Sequence, residues 1–226
     1  MSACRLVTIL ICLFLCISLV GCDSDSPTSP MARLVYVALG ASDAFGIGAI
    51  PLDNGYVYKI RDGLRSYAKQ VDLCNLGVSG VHINYVEETE LPDAISLYPD
   101  IITLWPGPND VIRGTAVEVF ERSLNNILQQ LRERTKTIIV LANIPVMTQV
   151  PRFLIDPDKD VTVARIIAFN NAIYRQAVTF QCPVVELFGG GYTTDWEYVW
   201  IDGFHPSNKG HAKLAELYLA EIRKYL

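Results

Sequence analysis

Five short apolar runs, each separated from the next by a helix-length amphipathic segment, constrain this chain more than any other feature. The runs are Leu34–Leu39, Val71–Cys74, Asp100–Leu104, Thr137–Leu141 and Pro183–Glu186. Their β-branched and aliphatic content predicts buried strands. Between them the apolar spacing turns helical. Gly55–Gln70 carries Val57, Ile60, Leu64 and Tyr67 on one face, and a second helix is expected at about Ile83–Leu91. Thr115–Arg134 is the clearest case, with Phe120, Leu124, Ile127, Leu128 and Leu131 on one face and polar residues on the others. Val161–Phe180 returns to helix. The last helix, about Asn208–Leu226, is capped by Ser207 and has Leu214, Leu217, Tyr218, Ile222 and Tyr225 as its apolar face. Strands alternating with helices predict an α/β protein with a parallel sheet covered on both faces.

The first residues stand apart from this pattern. Arg5 is followed by Leu6–Val20, a stretch with no charged residue, and the run closes in Leu19-Val20-Gly21-Cys22. A stretch this short suits a signal peptide better than a membrane span. Its end resembles the lipobox of bacterial lipoproteins, which implies cleavage before Cys22, lipid on the Cys22 sulfur and residence on the cell envelope, outside the cytoplasm. Asp23–Pro30 is a polar Ser/Pro stretch, so residues 22–32 read as a lipidated cysteine with its tether and 33–226 as one domain. After cleavage only Cys74 and Cys182 remain besides Cys22. Both lie beside expected strands and read as buried small apolar residues, not as a disulfide. No Cys or His spacing suits a metal, and no cofactor is expected. A net charge of −5, without a basic tract, argues against a nucleic-acid partner.

The chemistry concentrates where expected strands end. Leu34–Leu39 stops at Gly40, and Ala41-Ser42 follows among small residues. Ser42 is either a nucleophile at the carboxyl end of a strand or a small polar residue in a glycine-rich turn. Asp202-Gly-Phe-His205-Pro206 stands just before the last helix. An aspartate three residues ahead of a histidine in a tight turn can hold the imidazole Nδ1 and leave Nε2 as a base. A serine hydroxyl needs such a base to attack at neutral pH. The other reading is a helix-capping aspartate and a surface histidine. Acyl transfer also needs donors for a developing oxyanion. Gly80, the Asn109 side chain and the Ser42 N–H qualify, each after a different strand.

Taken together the chain resembles the SGNH branch of the GDSL hydrolases. The serine block matches Gly40-Ala-Ser42-Asp-Ala-Phe-Gly46, the glycine block Asn75-Leu-Gly77-Val-Ser-Gly80, the asparagine block Gly107-Pro-Asn109-Asp110 and the last block Asp202-Gly-Phe-His205-Pro206. The resemblance covers about residues 33–226. It implies a flavodoxin-like three-layer α/β/α sandwich with a five-stranded parallel sheet in the order 2-1-3-4-5, which puts Cys74 and Cys182 near opposite edges. It also implies metal-free ester hydrolysis, with Ser42, His205 and Asp202 as triad and Ser42, Gly80 and Asn109 as oxyanion hole. The substrate would be a small, lipid or acylated-glycan ester. One departure stands out: the serine block of the family usually reads Gly-Asp-Ser, and Ala41 takes the place of that acid here. Asp43 is the nearest carboxylate able to replace it.

Competing motifs fit less well. Gly46-Ile-Gly48 lacks the third glycine of a dinucleotide loop, and no Walker lysine follows any glycine run. Ala44 breaks the Gly-x-Ser-x-Gly elbow. His82 reads as a loop residue beside the site and His211 as structural or exposed. Trp105, Phe153, Trp196 and Trp200 divide between pocket wall and ordinary core. Two rival activities share these residues: a non-catalytic envelope protein binding glycan or lipid, and an acyltransferase that uses the same triad.

Overall fold

The computed structural model describes residues 30–226; the expected signal segment and Cys22 lie outside the described residues, as does most of the expected tether. The strands are β1 (Leu34–Leu39), β2 (Val71–Asn75), β3 (Ile101–Leu104), β4 (Ile138–Ala142) and β5 (Val184–Val185). They form one all-parallel sheet in the order β2-β1-β3-β4-β5. The helices are α1 (Ser42–Phe45), α2 (Tyr56–Leu64), α3 (Ile83–Tyr85), α4 (Leu91–Ser96), α5 (Pro108–Ile112), α6 (Val117–Arg134), α7 (Pro151–Ile155), α8 (Val163–Thr179) and α9 (Asn208–Ile222).

Residues of β1 divide strictly between the two faces of the sheet, as a period of two requires. Val37 and Leu39 join Ile102, Leu104, Ile139 and Leu141 against α6 and α8. Leu34, Tyr36 and Ala38 join Ile101, Val140 and Val185 against α2 and α9. A three-layer sandwich follows, with apolar strands fully covered on both sides. The one polar pair in the middle of β1 and β3 is satisfied internally: the Tyr36 hydroxyl lies 2.8 Å from Thr103 Oγ1. The Ser207 cap accepts from the Gly210 N–H and holds the start of α9.

Several expectations need adjustment. The helix expected over 55–70 stops at Leu64, because Tyr67 and Lys69 bond the backbone of Met31, drawing the chain out of the helix; Tyr67 is only half-buried. The helix expected at 83–91 is three pieces, α3, a π-helical turn over Val86–Glu90, and α4. The proline-rich segment to about Asp160 is not structureless, since it holds a 3₁₀ turn at Met147–Gln149 and α7. Tyr225 is exposed beyond the end of α9, and Leu219 takes its place in the core. Cys74 and Cys182 are both free, Cys74 within edge strand β2 and Cys182 just before the opposite edge strand β5; Cys182 is buried and Cys74 half-buried.

Candidate active site

The strand order reverses between β1 and β3, and in open α/β sheets the crevice at that point gathers ligands at the carboxyl ends of the strands. Ser42 follows β1 and begins α1; Asn109 lies in α5, just after β3. The glycine block leaves β2 and folds onto the serine loop. Asn75 Nδ2 donates to Ala44 O at 2.7 Å, and the Val78 N–H donates to Gly40 O at 3.1 Å. The fit there is tight. A Cβ on Gly77 would lie 2.7 Å from Ala44 Cβ and 2.9 Å from Phe45 N, so only glycine lets the two loops meet.

From the other end of the sequence, the loop before α9 closes the site. A Cβ on Gly48 would lie 2.1 Å from Pro206 O, so the serine loop rests directly on the residue after His205. Across this contact Ser42 Oγ lies 2.9 Å from His205 Nε2, and His205 Nδ1 lies 2.5 Å from Asp202 Oδ2. The other carboxylate oxygen, Asp202 Oδ1, accepts the N–H groups of Phe204 at 2.9 Å and His205 at 3.0 Å. Burial works against the Asp202 charge, but the bonds from the His205 ring and these two amides outweigh it and hold the carboxyl below its ordinary range. With Asp202 ionised, Nδ1 is the donor and Nε2 is left to accept the serine proton. Ser42 itself is buried at 4 % exposure.

The Asn109 amide donates to Val81 O at 2.8 Å, which ties the asparagine block to the glycine block. An amide nitrogen carries two hydrogens, so this bond orients the group and leaves a second N–H to offer. Gly80 is exposed, has φ +81°, and faces open space where a Cβ would stand. Behind Asn109, Arg165 grips the end of its helix, donating to the carbonyls of Asp110, Val111 and Thr115.

Beside Ser42, His205 and Asp202 lies a cleft of about 420 Å³, part of it open to solvent, walled by Trp105, Pro145, Met147, Val150, Tyr198 and Phe204. Half-buried Asp43 borders this cleft and a smaller, more polar one that contains His82 and Asn109. Desolvation raises the Asp43 carboxyl, with the nearby His205 opposing. Its carboxyl accepts its own backbone N–H, and among the described residues no other residue hydrogen-bonds it. Trp105 is a wall residue. Phe153 packs edge-on against Phe204, which is in turn edge-on to His205 at 4.9 Å. Trp196 is 60 % exposed and belongs to neither core nor cleft, and Trp200 packs against Gly48. His211 is fully buried: Nδ1 accepts the Tyr56 N–H and Nε2 donates to Ile47 O. Sequence reading missed Phe204, Met147, Val150 and Glu90. Phe204 had a signal, its place inside the Asp–His block; Glu90, in the acidic run Glu87-Glu88-Thr89-Glu90, carries no local mark that sets it apart from its neighbours.

A five-stranded 2-1-3-4-5 sheet carrying serine, glycine, asparagine and histidine blocks at its carboxyl edge defines the SGNH hydrolase fold. The sequence matches the GDSL-like lipase/acylhydrolase family over residues 38–213, and the chain belongs to that family. It is therefore a hydrolase acting on ester bonds. Similar solved structures include TesA, with a TM-score of 0.72 at 19 % identity over 85 % of this chain and 99 % of that one. The psychrotrophic esterase EstA from Pseudoalteromonas sp. gives 0.68 at 16 % identity, over 84 % of this chain and 97 % of its own. The acetyl xylan esterase AlAXEase gives 0.66 at 18 %, over 83 % and 98 %. No curated protein matches the sequence significantly.

Proposed function

We propose that the chain cleaves carboxylic esters through a serine acyl-enzyme. The observation that carries this reading is the line Ser42 Oγ, His205 Nε2, His205 Nδ1, Asp202 Oδ2, with links of 2.9 and 2.5 Å. Ser42 Oγ attacks the ester carbonyl carbon as its proton passes to His205 Nε2. Asp202 orients the ring and stabilises the imidazolium without taking the proton. The carbonyl oxygen becomes an oxyanion that accepts from the Ser42 and Gly80 N–H groups and the Asn109 amide. The C–O bond to the alcohol then breaks, and His205 returns the proton to the leaving oxygen. Water, deprotonated by His205, attacks the acyl-enzyme and restores Ser42.

The apolar cleft walls suit an acyl group or a small apolar alcohol. Small esters, acylated glycans and lipid esters are the substrate classes that follow, and the xylan esterase likeness adds acetylated polysaccharide as a first choice to try. We place the domain on the cell envelope through lipid at Cys22; the chain enters at the start of β1, the end of the sheet remote from Ser42, so such a tether leaves the cleft free. The test is hydrolysis of p-nitrophenyl esters from acetate to palmitate, with acetylated glycans alongside. Wild type should turn over at least one and be labelled by a fluorophosphonate, and Ser42→Ala should do neither. Wild-type hydrolysis by Ser42→Ala would refute the mechanism.

A further inference from the structure

The serine block has Ala41 where an acid usually stands, and the structure offers two carboxyls as substitutes. Asp43 borders the cleft and meets only its own backbone N–H, tying the serine loop to no other segment. Glu90 is different. It projects from the π-helical turn between α3 and α4, is 3 % exposed, and its Oε2 accepts the Gly40 N–H at 2.8 Å. Gly40 is the first residue past the register of β1, which ends at Leu39. Its carbonyl is already taken by the Val78 N–H. Gly40, two residues ahead of Ser42, is thus held at both ends, by Glu90 at its N–H and by Val78 at its carbonyl.

We propose that Glu90 is the positioning residue for the nucleophile, supplying from the π turn the brace that Ala41 cannot. This rests on Ser42 acting as proposed above. Two further observations support it. Glu90 Oε1 is buried and has no hydrogen-bond partner among the described residues, so the carboxyl makes one bond and is otherwise costly to bury. An apolar side chain of that length would suit the site better if packing were its purpose. Insertion of a π turn into a helix is also common where a side chain must be re-aimed at a functional site. Without the acceptor, the Gly40 N–H is buried and unpaired, and the loop carrying the Ser42 N–H can relax away from the oxyanion position.

The experiment compares E90Q, E90D and E90M in the full domain. The glutamine keeps an acceptor at the same reach; the aspartate withdraws it by one methylene; the methionine fills the space without one. E90M and E90D should lower kcat by about 10–10²-fold, the range a small misplacement of reacting groups produces, with KM within about threefold and the rate of fluorophosphonate labelling falling in parallel. E90Q should retain most of the wild-type kcat. Should E90M fail to fold, the contrast of E90D with E90Q decides. Wild-type kcat in E90M or E90D, or equal losses in E90Q and E90D, would overturn the role of Glu90. An unlabelled, inactive wild type would instead refute the serine mechanism itself.

Discussion

His211 makes the stability of this domain depend on acid in a way that can be measured. It is fully buried, and burial pushes its imidazole down from 6.5 to about 4, against the opposing bond to Ile47 O. Because the folded value is the lower one, the neutral ring stabilises the fold above the unfolded value of 6.5. That contribution is lost as pH falls towards 4, since the unfolded chain takes up the proton first. The full shift corresponds to roughly 3 kcal/mol, of which about 2 kcal/mol is lost between pH 7 and pH 5. Glu90 works the other way. Burial raises it from 4.5 to about 8 despite the Gly40 N–H, so its contribution is full below 4.5 and is lost as pH rises through 8. Between pH 7 and pH 5 Glu90 adds back a similar amount, about 2–3 kcal/mol, which largely hides the His211 effect in the wild-type curve. The assay is therefore a difference: urea unfolding of wild type and His211→Gln at pH 7, 6 and 5. The variant should gain about 2 kcal/mol on wild type over that interval, and Glu90→Gln should show a difference of opposite sign. A His211→Gln difference flat to within about 0.5 kcal/mol would refute the claim that a neutral buried imidazole is what ties α9 to the serine loop.

Other outcomes follow from the same geometry. Asn109→Ala should lower kcat by about 10²–10³ with folding intact, because it removes the side-chain donor of the proposed oxyanion hole; steady-state kinetics and a thermal melt check both halves. Asp202→Asn should cost about 10³–10⁴ in kcat, since an amide no longer dictates the His205 tautomer, and the loss should persist across the pH profile. Gly77→Ala should destabilise by about 1–3 kcal/mol, as overpacked sites do, and should also depress kcat because the atoms that must yield belong to the serine loop.

Much of this site is legible in the residue order. The Asp–His block is local: three residues of spacing let Asp202 reach the ring and two backbone amides at once. Ser42, Gly80 and Asn109 each follow a strand whose apolar run marks it. Glu90 was not legible, because an acid at the end of an acidic run has no mark of burial until a π turn directs it inward. Phe204 is marked by its place in the Asp–His block, but its packing between Phe153 and His205 was not legible, because it joins segments about fifty residues apart.

By itself, then, the sequence determined the alternation of strands and helices, the two-faced strands and the loops that bear reactive groups, because periodicity and turn chemistry act over a few residues. Tertiary structure alone decided which carboxyl braces the nucleophile, how far Ser42 stands from His205 and which side chains wall the cleft. Those depend on contacts between distant segments, and no local pattern records a distance of that kind.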